Sequence, residues 1–149
     1  MNSIIYFCAT YLIFIASAYA IFHVVFTSET KHYVKHIGII LGSAMLAWIV
    51  SHFMKDLIGH PRPDLSLPLL QPNDPYSFPS GHATFMFALA WSMYSFDKRA
   101  GIIIFVLATL TGIARVLAGV HYWYDIVGGF IVGAFVSAVI LYFTKKIRS

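Results

Sequence analysis

Three short stretches of this 149-residue chain hold most of the residues able to do chemistry together. The first carries Lys55 and, seven positions on, Arg62-Pro63. The second is Pro79-Ser80-Gly81-His82, and the third runs from Arg115 through His121 to Asp125. Brought to one place, Lys55, Arg62 and Arg115 would repel one another unless an anion sat among them. A guanidinium fork matches phosphate oxygens, and an ammonium adds a point charge. Ser80 directly precedes an apolar helical run and reads as its N-cap, so the N–H groups of Gly81 and His82 form an anion seat. Gly81 also permits close backbone approach to a ligand. Asp125 follows His121 by four residues, one helical turn, where its carboxylate can accept the Nδ1 hydrogen of the imidazole. Nε2 is then left unprotonated to attack phosphorus. His82 is free to protonate the departing oxygen. Phosphoryl transfer needs little beyond such positioning and cations around the phosphoryl oxygens.

The elements that must deliver these residues are membrane spans. Hydrophobic residues make up 59% of the chain and charged residues 11%, against roughly 25% charged in a soluble domain. Mean hydropathy is +0.77. A soluble globule and a disordered chain are both excluded. The net charge of +4 is dispersed between apolar runs, so no basic face is available to nucleic acid. A single cysteine, Cys8, allows neither an internal disulfide nor a cysteine-based zinc site.

Five apolar runs approach the length of about 20 residues that a spanning helix needs: about 4–26, 37–54, 80–96, 101–119 and 125–143. The first run contains Ala18-Tyr19-Ala20, which resembles a leader cleavage site. No Lys or Arg precedes it and the run continues to Phe26, so it is read as an uncleaved helix. The fold expected is an all-α membrane bundle, one domain over residues 1–149. Five spans place all three chemical stretches on one membrane side. Only Lys55, Arg62 and Arg115 lie there, while Lys31, Lys35, Lys98, Arg99, Lys145, Lys146 and Arg148 lie on the other. The more basic side favours the cytoplasm, so the chemical side faces periplasm, exterior or lumen and the C-terminus is cytoplasmic. The connection 55–79 holds all six prolines, which should give it a defined path. Its Leu65, Leu67, Leu69 and Leu70 are placed to dip into the interface.

The pattern Lys-x6-Arg-Pro, Pro-Ser-Gly-His, Arg-x5-His-x3-Asp resembles the type 2 phosphatidic acid phosphatase superfamily. That group of lipid phosphate phosphatases shares its core with bacterial acid phosphatases and vanadium haloperoxidases. The motifs span Lys55 to Asp125, about half the chain. The resemblance implies a metal-independent phosphatase with a phosphohistidine intermediate and no cofactor. It makes His121 the nucleophile, Asp125 its orienter and His82 the general acid, with Lys55, Arg62, Ser80, Gly81 and Arg115 binding phosphate. The substrate implied is a membrane lipid phosphate or diphosphate, with undecaprenyl diphosphate the first candidate if the chain is from a bacterial plasma membrane. Ala114 departs from the family, which usually has Ser before the Arg of the third motif. Membrane members commonly have six spans, and the five-span reading expects one fewer before the first motif.

Plainer readings compete. A lone His-x3-Asp is more often an interfacial hydrogen-bonded pair than a catalytic one. His52 and Asp56 repeat the spacing without matching a catalytic position; they read as a packing residue and an interfacial partner for Lys55. His52, Asp56, His60 and Asp64 lack zinc-ligand spacing. His23, His32 and His36 read as headgroup-level residues, and Tyr122, Trp123 and Tyr124 as an interface belt. Gly129 and Gly133 suit close helix packing inside the bundle. Two other functions stay open: a lipid phosphotransferase, and a non-catalytic lipid-phosphate binding or transport protein. The sequence sets no oligomeric state.

Overall fold

Three apolar runs form single helices long enough to cross a membrane: α3 (Tyr33–Ile58), α5 (Lys98–Leu117) and α6 (Trp123–Lys146). The computed structural model describes residues 2–27, 33–63 and 69–146, with side chains to 144. Lys31, His32, Asp64, Leu65, Leu67 and Arg148, and the side chains of Lys145 and Lys146, lie outside the described residues.

The N-terminal run departs from the expected single span. It breaks at Tyr11 into α1 (Asn2–Thr10) and α2 (Leu12–Thr27), bent by 46°. Neither Pro nor Gly stands at the break. The bend lets α1 pack on α5, while α2 reaches α3, α4 and α5. The third run forms its helix within a residue of the expected 80–96. Helix α4 (Gly81–Phe96) has only 16 residues, about 24 Å at 1.5 Å per residue, short of a hydrocarbon core of about 30 Å. It is the central helix, packed by α3, α5 and α6, and most of its residues are buried. Among the described residues, three or four elements therefore meet the length of a span, where five were expected.

Small residues let α6 lie close against α4. A Cβ on Gly133 would stand 2.7 Å from the Thr84 carbonyl oxygen, and one on Gly129 2.9 Å from the Ala83 Cβ. One turn further, Ser137 Oγ donates to the Ala88 carbonyl at 2.9 Å. The Gly-x3-Gly pair thus serves packing within the bundle, as its spacing suggested. Outward-facing residues are large and apolar, including Phe14, Phe53, Ile131 and Phe135, each about two-thirds exposed. This is an integral membrane surface, with lipid in the place of water.

Helix α3 runs beyond its expected end at 54, which puts Lys55 inside its last turn. Gly59, at φ 63°, ends it with its N–H bonded to the Lys55 carbonyl at 2.8 Å. Gly119, at φ 76°, similarly turns the chain out of α5. Only glycine takes these left-handed positions without strain. The loop then runs back across itself: Pro61 bridges Tyr76, and Ser77 N–H donates to the His60 carbonyl at 2.8 Å.

Candidate active site

Each chemical stretch arrives on an element end. Lys55 comes from the last turn of α3, Arg62 from the loop, Gly81 and His82 from the start of α4, and Arg115 from the last turn of α5. His121 precedes α6 and Asp125 lies in its first turn. Lys55, Arg62, Gly81, His82, Arg115 and His121 line one cavity of about 280 Å³, together with Trp48, His52 and Asp74. The expected convergence is therefore present in space. Asp125 and Ser80 stand just behind this lining, both fully buried.

His121 Nδ1 lies 3.1 Å from Asp125 Oδ2, with both side chains almost wholly buried. Nε2 lies 3.4 Å from Arg62 Nη1. A guanidinium can only donate, so Nε2 is the lone-pair nitrogen and Nδ1–H donates to Asp125. Burial holds the His121 imidazole down to about 4, and Arg115 and Arg62 add to that against the raising effect of Asp125. The imidazole is thus neutral at pH 7, as a nucleophile must be. Asp125 is fixed from two further sides. Its Oδ2 accepts the Tyr122 N–H at 2.8 Å, and its Oδ1 lies 3.4 Å from Ser77 Oγ.

Arg62 is tied down by Nη1–H to the Val120 carbonyl at 2.7 Å and Nε–H to the Asp74 carbonyl at 2.9 Å. Arg115 is different. It is buried, and its Nε has no hydrogen-bond partner. Ser80 Oγ is buried and unpartnered too. Ser80 occupies the N-cap position of α4 but its side chain makes no capping bond, contrary to the role expected for it. Unpaired buried polar groups are costly, and these two sit beside a cavity lined by cations.

The sequence reading missed two residues. Asp74 pairs with Lys55 at 3.0 Å and with Arg62 at 2.6 Å. Asp56 was expected beside Lys55 but is exposed, because consecutive residues on a helix point in different directions. Burial pushes the Asp74 carboxyl up, but Lys55 and Arg62 override it and hold the group below its ordinary value. Ser77 is the second. It is fully buried between Asp125 and His60, whose Nδ1 lies 3.1 Å from Ser77 Oγ. The only local signal was a run of polar residues and prolines before the second motif.

The other histidines part company. His52 packs on Trp48, with ring centroids 4.0 Å apart, and its Nδ1 lies 3.0 Å from the Trp48 carbonyl oxygen. His60 meets Tyr122 and Tyr124 edge-on, and its Nε2 lies 3.2 Å from the Tyr124 hydroxyl. The aromatic belt thus braces the loop that carries Arg62. A second cavity, about 410 Å³, is apolar and lies between α2, α3 and α4. Its lining includes Ile13, Phe14, Met45 and Phe85, and it shares Trp48 and His82 with the first.

A membrane-embedded helical bundle with imidazoles and buried cations gathered at the ends of its helices defines the class. The PAP2 superfamily profile matches residues 36–149, and the chain belongs to that superfamily. It is 29% identical over 153 residues to the bacitracin transport permease protein BcrC of Bacillus licheniformis, covering 97% of this chain and 71% of that one. It is 32% identical over 111 residues to phosphatidylglycerophosphatase B of Bacillus subtilis, covering 67% of this chain and about half (54%) of that one. Among solved structures, a transmembrane PAP2-type phosphatidylglycerolphosphate phosphatase from Bacillus subtilis superposes with TM-score 0.71 at 25% identity, over 98% of this chain and 77% of that one. Aquifex aeolicus LpxE shares the fold at TM-score 0.71 and 24% identity, over 95% and 87% of the two chains.

Proposed function

We propose that the chain is a lipid phosphate or diphosphate phosphatase that works through a phosphohistidine on His121. The observation that carries this reading is a neutral, buried imidazole whose Nε2 opens on a cation-lined cavity while Nδ1 is held by buried Asp125. In the first step, the Nε2 lone pair forms a bond to phosphorus and the bond to the leaving oxygen breaks. His82, on the cavity wall and protonated together with the incoming anionic phosphate, gives that oxygen a proton. In the second step, water attacks the phosphorus, His82 takes a proton from it, and the phosphorus–nitrogen bond breaks. Inorganic phosphate leaves and both imidazoles return to their starting states. Lys55, Arg62 and Arg115 carry the charge on the phosphoryl oxygens, and the Ser80 hydroxyl and the first N–H groups of α4 donate to them. Positive charge is thus supplied by side chains, which favours turnover without a metal ion.

The apolar cavity adjoining His82 suits the hydrocarbon part of an amphiphile whose phosphate sits at headgroup depth. Undecaprenyl diphosphate and phosphatidylglycerophosphate are the first substrates to try. The distribution of Lys and Arg favours a site open to the non-cytoplasmic side, with Lys35, Lys98 and Arg99 at the opposite end. A relative named as a transport permease favours one second reading, in which the nest holds a lipid phosphate without cleaving it. Purified protein in detergent, given a panel of lipid phosphates with and without chelator, separates the two. Phosphate release that survives chelator and is lost in His121→Ala is the expected result. Chelator-sensitive release, or an active His121→Ala protein, overturns the mechanism, and tight binding without release supports the transport reading.

A further inference from the structure

The cavity lined by cations already holds an anion. Asp74 reaches in from the loop, with Oδ1 2.6 Å from Arg62 Nη2 and Oδ2 3.0 Å from Lys55 Nζ. The two sides of these bonds differ in how they are held. The Lys55 and Arg62 side chains are 5% and 3% exposed, whereas Asp74 is 38% exposed. The cations are built into the bundle, and the carboxylate meets them from its rim. The rest of the nest is unsatisfied, since Arg115 Nε and Ser80 Oγ are buried without partners. Arg62 Nη1 lies 3.4 Å from His121 Nε2. A phosphoryl group seated on Nε2 therefore lies against the same guanidinium that Asp74 holds. Asp74 holds the Nε and Nη2 side of that guanidinium while His121 Nε2 faces Nη1, so Arg62 Nη2 and Lys55 Nζ are the donors that a phosphoryl group has to win from the carboxylate.

We propose that Asp74 is a resident carboxylate that an incoming phosphoryl group must displace from Arg62 and Lys55, and that it sets the affinity threshold of the site. The proposal rests on the reading of this cavity as a phosphate site. Its physical consequence is a threshold. A site that is competent only when its own carboxylate has let go binds every ligand more weakly by the same factor. Phosphodiester headgroups carry one negative charge and crowd the leaflet at this depth. The threshold keeps them from occupying the nest, while a terminal phosphate with charge about −2 still binds. Displacement also restores the count of charge-assisted bonds, because the phosphoryl oxygens replace the two carboxylate oxygens on Lys55 and Arg62 and add Arg115.

The test is calorimetric binding of two soluble probes, inorganic phosphate and dimethyl phosphate, to detergent-solubilised wild type and Asp74→Asn at pH 8. Displacement predicts that Asp74→Asn binds both probes more tightly, by a similar factor of roughly ten. Unchanged or weaker binding overturns the proposal, because Asp74 would then be orienting the cations. So does a gain for phosphate equal to the square of the gain for the diester, which is the mark of simple repulsion at a distance. A measurement on the wild type stands independently of the variant's folding. Hydrogen exchange of the peptide covering 71–78 should speed up with phosphate, relative to chloride at equal ionic strength, and slower or unchanged exchange overturns the proposal. Binding that behaves as expected in a protein that releases no phosphate from any lipid would sink the phosphatase reading and leave the displaced carboxylate standing.

Discussion

The two ends of the bundle each carry a histidine beside an aspartate, and only one pair is set up for chemistry. At one end His121 and Asp125 lie 3.1 Å apart with side chains 1% and 0% exposed. At the other, His23 and Asp97 lie 3.5 Å apart at 22% and 41% exposure. Asp97 spends its other oxygen capping α5, accepting the Ala100 N–H at 2.8 Å. That bond, more than His23, holds its carboxyl below the ordinary value. Asp125 spends its oxygens on His121, Tyr122 and Ser77. The difference teaches that proximity of imidazole and carboxylate is not enough. The His121–Asp125 pair is distinguished by burial, by a carboxylate fixed from two further sides by Tyr122 N–H and Ser77, and by a guanidinium on the far nitrogen. His52 and Asp56, at the same sequence spacing as His121 and Asp125, form no pair among the described residues.

The sharpest way to break this contrast is to remove each histidine. His121→Ala should cost at least roughly 10³-fold in turnover, as loss of a nucleophile does, whereas His23→Ala should stay within about two-fold. Phosphate release from the same lipid measures both, and comparable losses would erase the distinction between the ends. The aspartates come next. Asp125→Asn keeps the shape but favours the wrong imidazole tautomer, and should lower kcat by roughly 10²–10⁴-fold. Asp97→Ala should leave kcat in place and cost about 1 kcal/mol of stability through the lost cap, read from thermal unfolding in detergent.

Acidity sharpens the comparison further. His121 is held near 4 in the folded chain against 6.5 for an ordinary histidine. Between these values an unfolded chain takes up a proton at this position that the folded chain refuses, so stability falls as pH falls through that window, by up to about 3 kcal/mol, and then levels. The acid limb of kcat/KM set by His121 should accordingly lie near pH 4. A limb near 6.5 would mean that the imidazole is less buried than it stands here. The smallest effect expected is that of Ser80→Ala. The hydroxyl caps nothing, so stability should hold, while kcat/KM drops by about ten-fold through one lost donor to the phosphoryl oxygens. A large loss of stability would return Ser80 to a structural role.

Much of the site was legible in the sequence because its parts are local. Arg115, His121 and Asp125 lie within eleven residues of one another, and the four-residue spacing brings the imidazole to the carboxylate although His121 stands just before α6 rather than on it. Composition was enough for the membrane class and the all-helical fold. The burial of α4 by its neighbours was not legible, since apolarity marks a segment as buried without saying whether lipid or protein buries it. Nor was the bend at Tyr11, which no Pro or Gly announces.

What the sequence by itself determined is the chemical inventory: two histidines, a carboxylate and three cations, carried on apolar helices. Tertiary structure alone decided which anion faces those cations. Asp74 lies nineteen residues from Lys55 and Ser77 forty-eight from Asp125, and both arrive by the path of a proline-rich loop that folds back on itself. Periodicity reports on neighbours one turn away. A partner brought by a loop depends on where that loop is pinned, and here the pins are Pro61 against Tyr76 and the buried seat of Ser77.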